Sequence, residues 1–193
     1  EFETNYGAYL QGANVIGVSN GTDALELALR ALGLPVGAEV LVPANSFIAS
    51  ALAVVRAGLR VRFVDVNPVT LLAGVDDFER FVTGETRVLL PVHLYGQCAP
   101  MQEICAFAKD RGLLVVEDAA QAQGAKIGSQ HAGLFGDVSA TSFYPGKNLG
   151  AWGDAGGVIS LDDGLSDAVR LLRNYGSLRK YHHDTLGFNC RMD

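Results

Sequence analysis

Lysine is scarce in this sequence: it occurs four times in 193 residues, at Lys109, Lys126, Lys147 and Lys180. Lysine and arginine together number 15 against 21 acidic residues, a formal charge of −6. Such a balance lacks the clustered positive charge that a nucleic-acid polymer or an anionic membrane surface requires. No apolar run approaches the roughly 18–20 residues of a membrane span. No basic segment leads into a short apolar stretch, as a secretory signal would need. The three cysteines, Cys98, Cys105 and Cys190, are odd in number and lack zinc-ligand spacing. That usage is expected of reduced, mostly buried thiols in a cytoplasmic protein, with no metal site.

Apolar residues, by contrast, make up 49% of the chain and charged residues 19%, so a sizeable core can form and disorder is not expected. The length suits one domain. Short apolar runs alternate with helical patterns. Strands are expected at Val15–Val18, Val40–Val42, Arg60–Val64, Val88–Val92 and Leu113–Glu117. Helices are expected at Thr22–Leu32, Ser46–Ala57, Val75–Phe81 and Pro100–Asp110. Near-continuous apolar strands separated by helices predict an α/β fold with a mostly parallel sheet covered on both faces. After Asp118 the alternation breaks. Nine of the 23 glycines lie between Gly124 and Gly157, with short strands at Val138–Phe143 and Gly157–Ser160. Glycine lets backbone approach a ligand or turn sharply, so this density reads as a turn-rich connection or the floor of a site. A helix at Leu165–Asn174 and a polar loop at Ser177–Phe188 follow. Glu1–Leu10 reads as the tail of an amphipathic helix, and both ends look cut, which predicts a fragment of a larger protein.

Three segments could carry chemistry. Ser19-Asn20-Gly21-Thr22-Asp23 follows a strand and opens a helix, where free N–H groups and the helix dipole favour an anion. Gly21 lets that anion come close, and Thr22 could cap the helix and donate its hydroxyl. Taken alone, the segment also fits an ordinary cap and turn. Leu113-Leu114-Val115-Val116-Glu117-Asp118 ends an apolar strand in carboxylates, at the strand end where α/β proteins place ligands. A carboxylate there can hold a metal, a ribose hydroxyl or a protonated ring nitrogen, or cap a helix. Thr141-Ser142-Phe143-Tyr144-Pro145-Gly146-Lys147-Asn148-Leu149-Gly150 sets a single lysine between a strand and a glycine-rich loop. A lysine held partly out of water is a Schiff-base nucleophile; the competing reading is a solvated loop lysine. A P-loop is excluded because Thr141 and Asn148 occupy positions that motif assigns to Gly and Ser/Thr, and Gly17-Val18-Ser19 does not begin a dinucleotide fingerprint.

Together these pieces match one cofactor. Pyridoxal phosphate needs an imine-forming lysine, an acid for the pyridine nitrogen, a phosphate cup and a ring-stacking face. The chain supplies them in order, with the aromatic in Pro43-Ala44-Asn45-Ser46-Phe47 and the lysine 29 residues after Asp118.

The sequence resembles the DegT/StrS family of pyridoxal-phosphate-dependent nucleotide-sugar aminotransferases. The match rests on Ser19–Leu25, Glu117–Gln121, Ser142–Gly150 and Gly187–Met192. The resemblance implies the aspartate-aminotransferase type of fold (type I), with residues 1–193 as the large cofactor domain and an N-terminal segment and a small C-terminal domain absent. It implies that Lys147 forms the internal aldimine and moves protons, and that Asp118 binds the pyridine nitrogen. Gln121 would bind the phenolic oxygen, Phe47 would stack on the ring, and Gly21, Thr22 and Ser142 would hold the phosphate. Asn189 would reach the phosphate of a second subunit, giving a homodimer with shared sites. The loop Gly146–Ala151 with Gly153-Asp154, and Lys180-Tyr181-His182-His183, look like members acting at C-3 of dTDP-linked ketosugars with an amino-acid donor, expected to be glutamate. Tyr144, His182 and His183 would then line the sugar pocket; Tyr95 is a weaker pocket candidate, and His93 and His131 are expected to be structural. The alternative reading is a non-catalytic sensor that binds the cofactor or a sugar on the same fold.

Overall fold

A computed structural model describes residues 1–192; the last residue of the expected 1–193 domain lies outside that range. In chain order the elements are α1 (Phe2–Tyr9), β1 (Asn14–Val18), α2 (Gly21–Ala31), β2 (Glu39–Pro43), α3 (Ile48–Arg56), β3 (Arg60–Val64), α4 (Val75–Glu79) and β4 (Thr86–Leu89). A 3-10 turn at Leu94–Gly96 precedes α5 (Met101–Asp110) and β5 (Leu114–Asp118). Then come the small hairpin β6 (Lys126–Ile127) and β7 (Gln130–His131), followed by β8 (Val138–Ser142), β9 (Gly156–Ser160) and α6 (Asp163–Arg173).

Every expected strand and helix forms, with ends shifted by local chemistry. The helix expected from Ser46 begins at Ile48, because Phe47 takes the extended N-cap conformation. The helix expected from Leu165 begins earlier because the Asp162 side chain caps it, accepting from the Leu165 N–H at 2.8 Å. The β6–β7 hairpin was not legible in the glycine-rich stretch; each strand is two residues long, too short for any periodicity. The thiols are free, and only Cys190 is buried; Cys98 and Cys105 are partly exposed, against the expectation of mostly buried cysteines.

Seven strands form one sheet in the order β1-β9-β8-β5-β4-β2-β3. The pairs β5–β8, β4–β5, β2–β4 and β2–β3 are parallel, and β9 runs antiparallel to both β8 and β1. Period-two alternation divides the core between the faces. Val40, Val42, Val88, Leu90 and Val116 join Leu25, Leu29, Ala53, Val54 and Val169 on the side of α2, α3 and α6. Leu41, Leu89 and Val115 pack with Phe78, Met101, Ile104 and Ala108 of α4 and α5 on the other. The sheet is therefore a middle layer between helices, the α/β arrangement expected. At the far edge, α1 stacks Phe2 and Tyr6 edge-on against Phe143 (5.1 and 5.3 Å between ring centroids).

Two buried carboxylates hold the layers. Glu117, fully buried, accepts from the Gly133, Phe135 and Gly136 N–H groups at 2.8, 2.7 and 2.6 Å and from His93 Nε2 at 2.8 Å. Because His93 Nδ1 accepts from the Ala99 N–H at 3.0 Å, the ring proton sits on Nε2 and points at Glu117. Glu39 accepts from the Thr86 and Thr83 hydroxyls at 2.7 and 2.9 Å and from Arg60 at 3.2 Å. Burial pushes the Glu39 carboxyl up, but these donors outweigh it and hold it below its usual value of 4.5.

Glu117→Gln turns one acceptor oxygen into a donor facing other donors, and should lower unfolding free energy by about 1–3 kcal/mol for each buried N–H left unmatched, read by urea titration. Glu39 releases its proton more readily folded than unfolded. Its stabilisation is therefore full above pH 4.5 and lost as pH falls through the lower folded value. Glu39→Gln should flatten that part of the stability–pH curve, read from urea midpoints on either side of pH 4.5.

Candidate active site

The C-terminal ends of β5 and β8 are neighbours at one edge of the sheet, the start of β9 separates β8 from the end of β1, and the first turn of α2 abuts β8 and β9. Asn20 is the N-cap of α2; its side-chain oxygen accepts from the Asp23 N–H at 2.8 Å. Thr22 was the expected cap, but it is already the second helical residue, so its hydroxyl is left outside the capping bond. The Asp23 carboxylate accepts from the Ser19 hydroxyl (2.5 Å), the Asn20 amide (2.9 Å) and Arg56 (3.0 Å), which pins the turn. Among the described residues, the Gly21 and Thr22 N–H groups have no acceptor within the chain. An anion at this helix end would receive them.

Glycine is required here by contact. A Cβ on Gly21 would stand 2.7 Å from Ser142 Cβ, and one on Gly156 would stand 2.4 Å from the Asn20 carbonyl oxygen. The helix end is thus pressed onto the end of β8 and the start of β9, and Gly21, Thr22 and Ser142 share one corner. The Ser142 hydroxyl oxygen accepts from the Tyr144 N–H at 3.3 Å.

Asp118 closes β5 and is 5% exposed. It points to the sheet face opposite to Glu117, where Ser50 of α3 donates to its Oδ2 at 2.7 Å; the Ala120 N–H donates to Oδ1 at 3.1 Å. Both donors are neutral, and among the described residues no Lys, Arg or His forms an ion pair with it. A buried carboxylate without a cation is costly unless something supplies the charge. Phe47, three residues before Ser50, is 66% exposed.

Lys147 lies in a loop closed by a bond from the Ala151 N–H to the Phe143 carbonyl at 2.7 Å. Its side chain is half-buried and without a hydrogen bond or ion pair among the described residues. With Gln121 it lines a cleft of about 480 Å³, together with Tyr95, Gly96, Gln123 and Asn148. Gln121 Oε1 accepts from the Tyr95 N–H at 3.1 Å, and Tyr95 holds a positive φ of 59° to offer it. Nothing in the sequence marks Gln123. Its Nε2 donates to Thr141 Oγ1 (2.9 Å) and the Ser142 carbonyl (2.6 Å), while its main-chain carbonyl accepts from Asn148 Nδ2 at 2.8 Å. It ties the lysine loop to β8; the spacing of Gln121 and Gln123 was visible, but a side chain bonding to backbone leaves no sequence signature.

Other expected residues stand apart from this cleft. Tyr144 is 56% exposed and does not line it. His182 Nε2 meets Arg179 at 3.0 Å within the 177–188 loop, and His183 Nδ1 donates to the Tyr175 carbonyl, just before that loop, at 2.9 Å. Asn189 is exposed, bridged to Asn174 through backbone. His93 is enclosed with Glu117, and His131 is buried edge-on against Tyr9, with burial and then Lys126 pushing its pKa down.

The whole of residues 1–193 matches the model of the "DegT/DnrJ/EryC1/StrS aminotransferase family". The chain belongs to that family. It is 47% identical, over 100% of its length and 51% of the relative's, to a dTDP-3-amino-3,4,6-trideoxy-alpha-D-glucose transaminase from Streptomyces venezuelae. Its fold is similar to that of S. venezuelae DesV in complex with a ketimine intermediate (TM-score 0.95, 46% identity, covering 99% of this chain and 52% of that one). It is also similar to NtdA from Bacillus subtilis with bound cofactor PMP (TM-score 0.92, 37% identity, covering 99% and 44%). The chain spans about half the length of the curated relatives it matches. Its mostly parallel, helix-flanked sheet is the fold of these DegT/DnrJ/EryC1/StrS-type, pyridoxal-phosphate-dependent aminotransferases.

The residues present fit that cofactor: among the described residues there are free N–H groups at a pressed helix end for a phosphate, a buried acid lacking a cation, and a lysine lacking a partner. Among the described residues no cluster of His, Cys, Asp and Glu could hold a metal ion, and no helix is long and apolar enough to cross a membrane.

Gly21→Ala should cost about 1–3 kcal/mol by overpacking against Ser142. Ser142→Gly in the same chain should return most of it. A thermal-denaturation cycle over the four proteins reads the coupling directly.

Proposed function

We propose that the protein carrying this chain is a nucleotide-sugar aminotransferase, moving an amino group from an amino acid, glutamate in the simplest case, to C-3 of a dTDP-linked keto-deoxysugar. The observation that carries the reading is the pairing of two unmatched groups at one sheet edge. Among the described residues Asp118 is buried without a cation, and Lys147 is half-buried without an anion. Pyridoxal phosphate, when bound, supplies an aldehyde for a lysine and an electron-withdrawing ring that takes up the charge of a substrate carbanion. The chain's own residues then do the holding. Lys147 attaches the group and carries a proton to and from the substrate carbon. Asp118 keeps the ring nitrogen protonated, Gln121 contacts the phenolic oxygen, and Phe47 covers the ring. Gly21, Thr22 and Ser142 bind the phosphate.

C-3 amination is supported by the name of the 47%-identical relative, a 3-amino-sugar transaminase. Tyr144, His182 and His183 are proposed sugar contacts; His182 Nδ1 and His183 Nε2 are the ring nitrogens left over from their loop bonds. A homodimer with shared sites is proposed from the exposed Asn189 and from Ile48, Leu52 and Val55, an apolar face of α3 that is 66, 43 and 61% exposed. Residues 1–193 would be the large cofactor domain of that dimer, in the cytoplasm.

Glutamate added to the cofactor-loaded protein should yield pyridoxamine phosphate, and that form should aminate a dTDP-3-keto-deoxysugar faster than its 4-keto isomer. Lys147→Ala should lose about 10²–10⁴-fold in both half-reactions, followed by absorbance and by mass spectrometry of the sugar. A protein that binds the cofactor but forms no pyridoxamine phosphate would instead be the non-catalytic sensor.

A further inference from the structure

Asp118 is reached by a chain of hydroxyls that the proposed chemistry does not use. Ser50, on the first turn of α3, is fully buried and donates to Asp118 Oδ2 at 2.7 Å across 68 residues of sequence. The Ser46 hydroxyl lies 2.6 Å from Ser50 Oγ. An ionised carboxylate can only accept, so Ser50 spends its proton on Asp118 and Ser46 must donate to Ser50. The result is a directed relay from half-buried Ser46, through Ser50, to the acid. A serine on a helix commonly points its hydroxyl to solvent or back to a carbonyl of the preceding turn. Ser50 turns it across to another element instead.

We propose that Ser50 is a positioning residue for Asp118, with Ser46 reinforcing it. A carboxylate offers about four lone-pair sites. Ser50 takes one on Oδ2 and the Ala120 N–H takes one on Oδ1, so the carboxylate plane is fixed from two sides and the remaining sites face a set direction. Polarisation along the two-hydroxyl chain strengthens the terminal bond. The same short segment carries Phe47, so one turn of helix both presents the aromatic and orients the acid. This inference rests on the reading that Asp118 meets the ring nitrogen of pyridoxal phosphate.

The test compares wild type, Ser50→Ala, Ser50→Thr and Ser46→Ala as purified proteins titrated with pyridoxal phosphate. Two quantities are read: the cofactor Kd and the pH midpoint of the lysine-linked chromophore's visible band. A hydrogen bond to a charged group is worth about tenfold or more outright; because Ser50 already makes this bond before the cofactor binds, Ser50→Ala should raise the Kd by the part of that factor gained on binding, a few-fold up to about tenfold. It should also raise the pH midpoint, because a mobile carboxylate holds the ring proton less firmly and the ring withdraws fewer electrons from the linkage. Ser50→Thr, which keeps the hydroxyl, should restore both, and Ser46→Ala should shift both in the Ser50→Ala direction by less. Should Ser50→Ala fail to fold, Ser46→Ala decides, since its side chain is only half-buried. A wild type that binds the cofactor normally while the alanine variants match it in both quantities would overturn the role of Ser50 alone. A wild type that takes up no cofactor would overturn the cofactor reading, and this inference with it.

Discussion

Neighbouring residues on a β-strand must face opposite sides of the sheet, and at the end of β5 that constraint separates two adjacent carboxylates. Glu117 turns to the α4–α5 side, where three backbone N–H groups and His93 surround it. Asp118 turns to the α2–α3 side, where its carboxylate accepts from Ser50 and the Ala120 N–H among the described residues. One acid is therefore saturated with donors and serves the fold. The other keeps unused acceptor capacity and, among the described residues, no cation, and it is the acid we propose for the ring nitrogen. A one-residue slip of β5 would exchange the two environments.

The register that prevents such a slip also assembles the rest of the site. Asp118 pairs with Ala140, two residues before Ser142. Ser142 in turn touches Gly21 at the start of α2, and the lysine loop leaves the same strand end. Three segments distant in sequence thus meet because parallel strands deliver their C-terminal ends to one edge, the usual place for a ligand in open α/β sheets. Glu117 contributes indirectly: by gripping residues 133–136 it fixes the connection that leads into β8. The buried structural acid and the acid proposed for the site are coupled through a shared strand.

Much of this was legible in the sequence. The apolar runs gave the strands and their burial, because a doubly covered sheet leaves a continuous signal. Asp118, Lys147 and the Gly21 turn stood out by type and position, at strand ends and beside glycines. What stayed hidden was whatever depends on side chains meeting across elements. Ser50 reads in sequence as one more small residue on an apolar helix, and only its contact with Asp118 gives it meaning. Gln123 was equally silent, since its partners are a hydroxyl and backbone groups of a distant strand. The role of Asn20 as cap was obscured by Thr22, which has equal capping chemistry but sits two positions too late. The glycine-rich stretch was read as one feature and is two: Gly133 and Gly136 serve the structural acid Glu117, while Gly146 lies in the cleft with Lys147.

The central claim is that, of four lysines, the one in this cleft is the attachment point for a carbonyl cofactor whose ring nitrogen is met by Asp118. Borohydride reduction of the cofactor-loaded protein, followed by proteolysis and peptide mass mapping, tests it most directly. A pyridoxyl adduct on the peptide containing Lys147, formed in wild type and much reduced in Asp118→Asn, is the expected result. An adduct distributed over Lys109, Lys126 and Lys180, or one whose yield ignores Asp118, would contradict the account.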